Sequence, residues 1–116
     1  MTRFIEKPWG AEFIGQRVGK CAFKTLRVLR GKRLSLQRHK RKSEVWLVVE
    51  GEPWVDCGEF HGRAKPGQFF FIDPNTVHRL SADNGNVVVW EMQCGEDTDI
   101  ERLEDDYGRD KDQNKS

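Results

Sequence analysis

Short apolar and polar positions alternate along most of this chain. From Cys21 to Leu29, Phe23, Thr25 and Arg27 stand against Lys24, Leu26 and Val28, a two-residue period that predicts a β-strand. Leu34 to His39 alternates in the same way, and Glu44 to Val49 is an apolar, aromatic run. Ala11 to Gln16, Trp54 to Cys57, Gln68 to Ile72, Val77 to Leu80 and Val87 to Met92 add further short strands. Breaks fall at Val18-Gly19-Lys20, Arg30-Gly31-Lys32, Gly51-Glu52-Pro53, Pro66-Gly67 and Ala82-Asp83-Asn84-Gly85, where Gly, Pro and Asn supply turn conformations. Phe4 to Gly10 reads as an extended arm carrying Trp9, and Gly58 to Gly62 as a hairpin tip with a solvated His61. No segment sustains a 3.6-residue period; a short helix is expected only over Asp99 to Tyr107. Arg109 to Ser116 has no apolar residue and is expected to fray. Many short strands broken by turn residues predict a sandwich or barrel.

Candidate chemistry gathers in the middle of this pattern. Gln37 and His39 are two apart on a predicted strand, so both side chains point to one face. A basic turn, Lys40 to Ser43, follows, and Glu44 opens the next strand. A tight turn between the two would return Glu44 opposite His39. The fourth candidate is His78, in Pro74-Asn75-Thr76-Val77-His78 after the run Phe69 to Ile72.

The spacing Gly31, Gln37, His39, Glu44, Gly51 resembles the first cupin motif, with glutamine in the usual first histidine position. Gly67 through His78 resembles the second, with Asp73 at its proline position. The glutamine variant is similar to the cupin domain of type II mannose-6-phosphate isomerases, which is often fused to a mannose-1-phosphate guanylyltransferase. Pro8-Trp9-Gly10, Arg33-Leu34-Ser35-Leu36-Gln37, His78-Arg79-Leu80, Glu91-Met92-Gln93 and the stretch Glu104-Asp105-Asp106-Tyr107-Gly108-Arg109 extend the likeness over most of the chain. The resemblance implies an all-β cupin, a double-stranded β-helix of the jelly-roll type, in a single domain over 1–109, with a disordered tail over 110–116. It also implies one divalent transition metal on Gln37, His39, Glu44 and His78. Nitrogen and oxygen donors without thiolate suit Zn, Mn, Fe, Co or Ni and do not choose among them; zinc is the first expectation.

Composition narrows the function. Hydrophobic residues are 36% of 116, so the core must be compact. No apolar stretch is long enough to span a membrane and Met1 to Glu6 turns polar at once; a cytoplasmic chain is expected. Cys21, Cys57 and Cys94 are odd in number and lack zinc-ligand spacing, so each is expected as a small buried or half-buried residue. Net charge is +1, but eight Lys or Arg and no acid lie between Arg27 and Lys42, and nine Asp or Glu lie between Glu96 and Asp112. The basic run flanks the metal motif, which suggests phosphate rather than nucleic acid. Lys40, Arg41 and Lys42 are candidates for an anion-binding rim, and the acidic stretch for a partner that docks on the basic one.

The resemblance implies a sugar-phosphate isomerase that interconverts mannose 6-phosphate and fructose 6-phosphate in polysaccharide or nucleotide-sugar metabolism. The reaction moves a proton between C1 and C2 and needs a base. Glu91 is a candidate base, Arg79 a candidate substrate contact, and Lys24 a candidate phosphate contact. The family's histidine run is here His39-Lys40-Arg41, and its His-Trp is Val45-Trp46. A non-catalytic cupin that binds a sugar phosphate, or assists a separate guanylyltransferase, therefore stands as the alternative. The apolar arm with Phe4, Ile5 and Trp9 is suited to cover an exposed strand edge, which predicts a homodimer.

Overall fold

A computed structural model describes residues 3–96 and 98–114, with only the main chain given for 112–114. These residues form eleven strands: β1 Arg3–Lys7, β2 Gly10–Val18, β3 Cys21–Val28, β4 Leu36–Arg38, β5 Ser43–Glu50, β6 Trp54–Cys57, β7 Phe60–Arg63, β8 Phe69–Ile72, β9 His78–Ser81, β10 Val87–Cys94 and β11 Glu101–Glu104. A 3-10 helix covers Arg109–Asn114. One sheet runs β1-β2-β3-β10-β5-β8 and the other β11-β4-β9-β6-β7; every paired neighbour is antiparallel. This all-β pair of facing sheets is the expected jelly roll.

Alternation does the sorting. On β10, Val87, Val89, Glu91 and Gln93 are buried between the sheets, while Val88, Trp90 and Met92 point outward. The same period sends Trp46 and Val48 of β5, Leu26 and Val28 of β3, and Phe70 and Ile72 of β8 into one core with Val55 and Leu80. Each such side chain contributes about 1.5–3 kcal/mol by leaving water. The core fills one end of the space between the sheets and leaves the other end for polar groups.

The arm folds onto its own chain. Pro8 and Trp9 form a two-residue turn between Lys7 and Gly10, which pair directly, and Trp9 lies 5% exposed in the core. Gly10 has φ +152°, and a Cβ there would run into the Arg27 carbonyl oxygen, so only glycine fits.

Several expectations change. Asp99 to Tyr107 is not a helix; its central residues, Glu101–Glu104, are strand β11, paired with β4. Phe60–Arg63 is a strand rather than a tip. The expected frayed tail begins as the 3-10 helix, and Lys115 and Ser116 lie outside the described residues. Cys21 and Cys94 are not separate buried thiols. They face each other at the ends of β3 and β10 and form a disulfide across 73 residues. Cys57 is free and half-buried. Finally, β4 and β5 are not a hairpin, because they belong to different sheets. Residues 39–42 carry the chain from one sheet to the other.

Candidate metal centre

That crossing brings the motif residues together from both sheets. Gln37 on β4 stands directly opposite His78 on β9, and directly opposed residues share a face. His39 follows two residues after Gln37. Glu44, near the start of β5, reaches across from the facing sheet. One ligand atom each from His39, Glu44 and His78 lie within 4.8 Å of one another, and all three residues are buried.

The tautomers are fixed by backbone. His39 Nδ1 is 2.6 Å from the Asp99 carbonyl, and His78 Nδ1 is 2.8 Å from the Thr76 carbonyl. A carbonyl only accepts, so both Nδ1 atoms carry the proton and donate. Each Nε2 is then a bare lone pair, buried and without a hydrogen-bond partner among the described residues. Both aim at the same Glu44 oxygen, at 3.5 Å from His39 and 3.2 Å from His78. Two lone pairs and a carboxylate converging in a buried space repel one another unless a cation sits among them. The donor chemistry and the orphaned Nε2 atoms therefore fit a divalent transition metal.

The crossing turn is built around Asp99. Its carboxylate accepts from the backbone N–H of Lys40, Arg41 and Lys42, at 2.9, 2.8 and 2.9 Å. These bonds, the Lys40 amide foremost, bring the Asp99 carboxyl down to about 2. The same residue's carbonyl holds the His39 ring. On the other side, Asn75, in the left-handed region at φ 68°, donates its N–H to the His39 carbonyl at 2.6 Å.

A cavity of ≈ 240 Å³ opens above the site, walled by residues that include Gln37, Lys42, Glu44, Glu91 and Gln93. Lys42 is turned inward, with Nζ 2.9 Å from Gln93 Oε1 and 3.6 Å from Glu44 Oε2. Trp46 Nε1 donates to Glu91 Oε1 at 2.9 Å. Burial first, and the charge of Glu44 second, push the Glu91 carboxyl up to about 8. Six cations line the cavity, Arg3, Lys7, Lys24, Lys42, Arg102 and Arg109, against three acids, Glu12, Glu44 and Glu91.

The structure thus brings Gln37, His39, Glu44 and His78 together and sets Glu91 and Lys24 in the adjoining wall, paired across β10 and β3. Lys24 Nζ is held by Glu12, which Lys7 also reaches at 3.3 Å. Arg79 lies elsewhere. Strand alternation turns it to the opposite face from His78, where its guanidinium donates to the Leu34 carbonyl at 3.0 Å and pairs with Glu104 at 3.1 Å. It ties β9 to the end of β11 and to the residues before β4, and does not line the cavity. Lys40 and Arg41 are exposed, and the amides of their turn are already satisfied by Asp99. The acidic stretch docks within the chain, through Asp99, Glu101 on Arg38 at 3.1 Å and Asp106 on Arg33 at 2.7 Å. His61 is on the surface, 2.6 Å from Asp56.

Comparison with known proteins follows the same outline. The family model described as mannose-6-phosphate isomerase C-terminal matches residues 1–105. The chain belongs to the mannose-6-phosphate isomerase C-terminal family. Members of this family depend on a metal ion. Relatives of the domain include the alginate biosynthesis protein AlgA of Pseudomonas aeruginosa, 37% identical over 90% of this chain and 23% of that protein. The xanthan biosynthesis protein XanB of Xanthomonas campestris pv. campestris is 35% identical over 92% of this chain and 24% of its own. The chain therefore spans about a quarter of the length of these curated relatives. Among solved structures, KdgF from Halomonas sp. superposes with a TM-score of 0.75 at 19% identity, covering 84% of this chain and 89% of that one. A cupin-2 domain protein from Rhodospirillum rubrum gives 0.77 at 12%, over 87% and 74%. These two likenesses show the cupin fold.

Sequence reasoning missed Lys42 as a buried wall residue, Asp99 as the clamp on the turn, and Glu12, Arg3, Lys7, Arg102 and Arg109 as cavity residues. One signal was present for Glu91 and Gln93: polar residues on the face of β10 that otherwise carries Val87 and Val89. No local signal points to Asp99, whose partners are more than fifty residues away.

Proposed function

We propose that this chain is a metal-dependent sugar-phosphate isomerase of the mannose-6-phosphate isomerase type. Gln37, His39, Glu44 and His78 would hold the ion, zinc before Mn, Fe, Co or Ni. The observation that carries the reading is the pair of buried Nε2 lone pairs aimed at one Glu44 oxygen, beside a cationic cavity. The family match supports the same substrate class.

The ion, when bound, supplies a Lewis acid for the sugar's carbonyl and hydroxyl oxygens. The rest falls to the chain. Glu91, buried and raised to about 8, holds and returns a proton near neutral pH, as transfer between C1 and C2 requires. Trp46 fixes its orientation. Lys42, held by Gln93 and Glu44, offers a hydrogen bond to a sugar hydroxyl. Arg102 in the cavity wall suits a phosphate dianion, since a guanidinium grips phosphate with two parallel bonds; Arg109 is already held by Asp105 through Nε and Nη2, at 2.8 and 2.9 Å.

A coupled assay for fructose 6-phosphate formed from mannose 6-phosphate, with and without chelator, tests the proposal. Turnover that chelation abolishes and zinc restores is the expected result. Glu91→Gln should retain the metal and lose turnover by at least about 100-fold. A protein that holds metal and sugar phosphate but never turns over would instead be the binding module that the missing histidines at Lys40, Arg41 and Val45 leave open.

A further inference from the structure

The disulfide sits at the end of the sheet that carries the metal centre. Cys21 and Cys94 are the last pair of the β3–β10 ladder, and Cys94 also stands opposite Ser43 at the start of β5. One residue inward, Gln93 lies between Ala22 and the candidate ligand Glu44. Its side-chain oxygen accepts from the Lys42 ammonium at 2.9 Å. One residue outward, Gly95 packs on the Lys42 stem: an added Cβ there would lie 3.1 Å from Lys42 Cα, Cβ and Cγ. Lys42, a wall residue of the cavity, is thus gripped by the residues on either side of Cys94, its head by Gln93 and its stem by Gly95. Gly95 is tied back to the turn before β3. Its N–H donates to the Lys20 carbonyl at 2.9 Å, and Arg17 donates to the carbonyls of Lys20 and Gly95, both at 3.1 Å.

The two ends of this ladder are held differently. At the far end Val28 pairs with Val87, and both lie in the core, 0% and 1% exposed. At the near end the core has stopped, and the covalent link closes the row instead. Breaking the link leaves the valine end packed, so the chain stays folded, while a strand end without such packing opens readily. Both cysteines are half-buried, so a thiolate can reach the bond, and exposed disulfides are the labile ones. The free thiol, Cys57, belongs to β6 in the other sheet.

We infer that Cys21–Cys94 is a redox switch on the cavity: closed, it holds Lys42 in the wall; reduced, it releases the end of β10 and Lys42 with it. The inference rests on the cavity being a sugar-phosphate site, as proposed above. The reductant is a dithiol. Its thiolate attacks one cysteine sulfur, a mixed disulfide forms, and the other cysteine leaves as a thiolate. The second thiol of the reductant then closes its own ring disulfide and frees the first cysteine. The cysteine pair gains two electrons and two protons, and the dithiol gives up both. Without the link, Gln93 and Gly95 no longer fix Lys42 from both sides, and the hydrogen bond that holds the ammonium in the wall is broken for part of the time. The reduced protein therefore binds a sugar phosphate more weakly, and reoxidation restores binding.

The test compares the full chain carrying Cys57→Ser in two states, oxidised, and reduced with dithiothreitol that is then removed by gel filtration without oxygen before zinc is restored. Hydrogen exchange at the amides of residues 20–22 and 93–95 should speed up at least about 10-fold on reduction, while Val87 and Val89 keep their protection. Calorimetric titration with mannose 6-phosphate should give a dissociation constant raised at least about 10-fold, as for the loss of a hydrogen bond from a charged group. Cys21→Ser should match the reduced protein. Lys42→Met keeps the stem and loses the ammonium, so reduction should leave its dissociation constant within about 2-fold. Exchange that rises equally at both ends of the ladder, or at neither, would overturn the inference, because the disulfide would then staple the whole fold or nothing. So would a reduced protein that binds as the oxidised one does, or an equal weakening in Lys42→Met. A protein that takes up no mannose 6-phosphate in either state would defeat the sugar-phosphate reading instead, and the exchange measurement alone would then decide the switch.

Discussion

Two imidazoles with the same backbone-fixed tautomer mark the residues that decide this site. His78→Ala should remove one of three converging buried donors and cut zinc affinity at least about 100-fold. His61→Ala, on the surface with Asp56, should leave zinc content unchanged by elemental analysis; equal losses would mean the ligand set is wrong. Asp99 acts one step back. Asp99→Asn leaves the carbonyl that orients His39 in place but weakens the carboxylate's hold on three amides. A second-sphere change of this kind lowers metal affinity about 10-fold or more. It also carries a pH signature with a definite sign. The folded-state pKa of about 2 lies below the unfolded value of about 3.9. The carboxylate's contribution is therefore full above pH 4 and lost as pH falls towards 2. Denaturation midpoints measured between pH 4 and 2 should fall more steeply for the parent than for Asp99→Asn. Much of this site was readable from residue spacing, because Gln37 and His39 share a face through the strand period alone. Lys42 was not, since whether a lysine in a turn points out or in depends on what lies across the core, here Gln93 and Glu44.

Strands set the positions, and two of their features make sharp predictions. Gly10 presses against the Arg27 carbonyl at φ +152°. Gly10→Ala should cost more than about 2 kcal/mol, against about 1 for Gly31→Ala, where φ is +83° but the space is open; urea midpoints compare them directly. The disulfide closes a separation of 73 residues between β3 and β10. Cys21→Ser should therefore lower stability by about 2–4 kcal/mol, and thiol titration of the unreduced parent should find one reactive cysteine, Cys57. Most strands were legible because alternation against a core leaves a period-two trace. The acidic segment after Asp99 gave no such trace. β11 is half solvated, and its pairing with β4 is fixed by charge across the strands, Glu101 on Arg38. The disulfide was equally silent, because only the β3–β10 register brings Cys21 opposite Cys94.

At the scale of the molecule, the candidate ligands do something no single strand can. Gln37 and His78 belong to the five-stranded sheet, His39 to the turn that leaves it, and Glu44 to the six-stranded sheet. An ion on these groups fastens one sheet to the other at the end where the hydrophobic core stops. Without it, that end holds converging lone pairs and a buried carboxylate, which oppose closure. Metal binding and stability are therefore linked in one direction: whatever binds the folded chain raises its melting temperature. At free zinc 100 times the dissociation constant the gain is about 2.7 kcal/mol, which for a domain of this size corresponds to about 10 °C. Differential scanning calorimetry of chelated protein, repeated with zinc restored, should show that shift in the parent and in His61→Ala, and lose most of it in His78→Ala and Glu44→Gln. Glu44→Gln carries a second expectation that separates this account from simple loss of a ligand. Removing the carboxylate charge relieves the repulsion with the two Nε2 atoms but also takes the charged partner from the buried Lys42 ammonium, so the chelated Glu44→Gln protein should melt within a few degrees of the chelated parent. A chelated variant that melts well below it would mean that the Lys42 pair outweighs the repulsion, and that the sheets close without an ion.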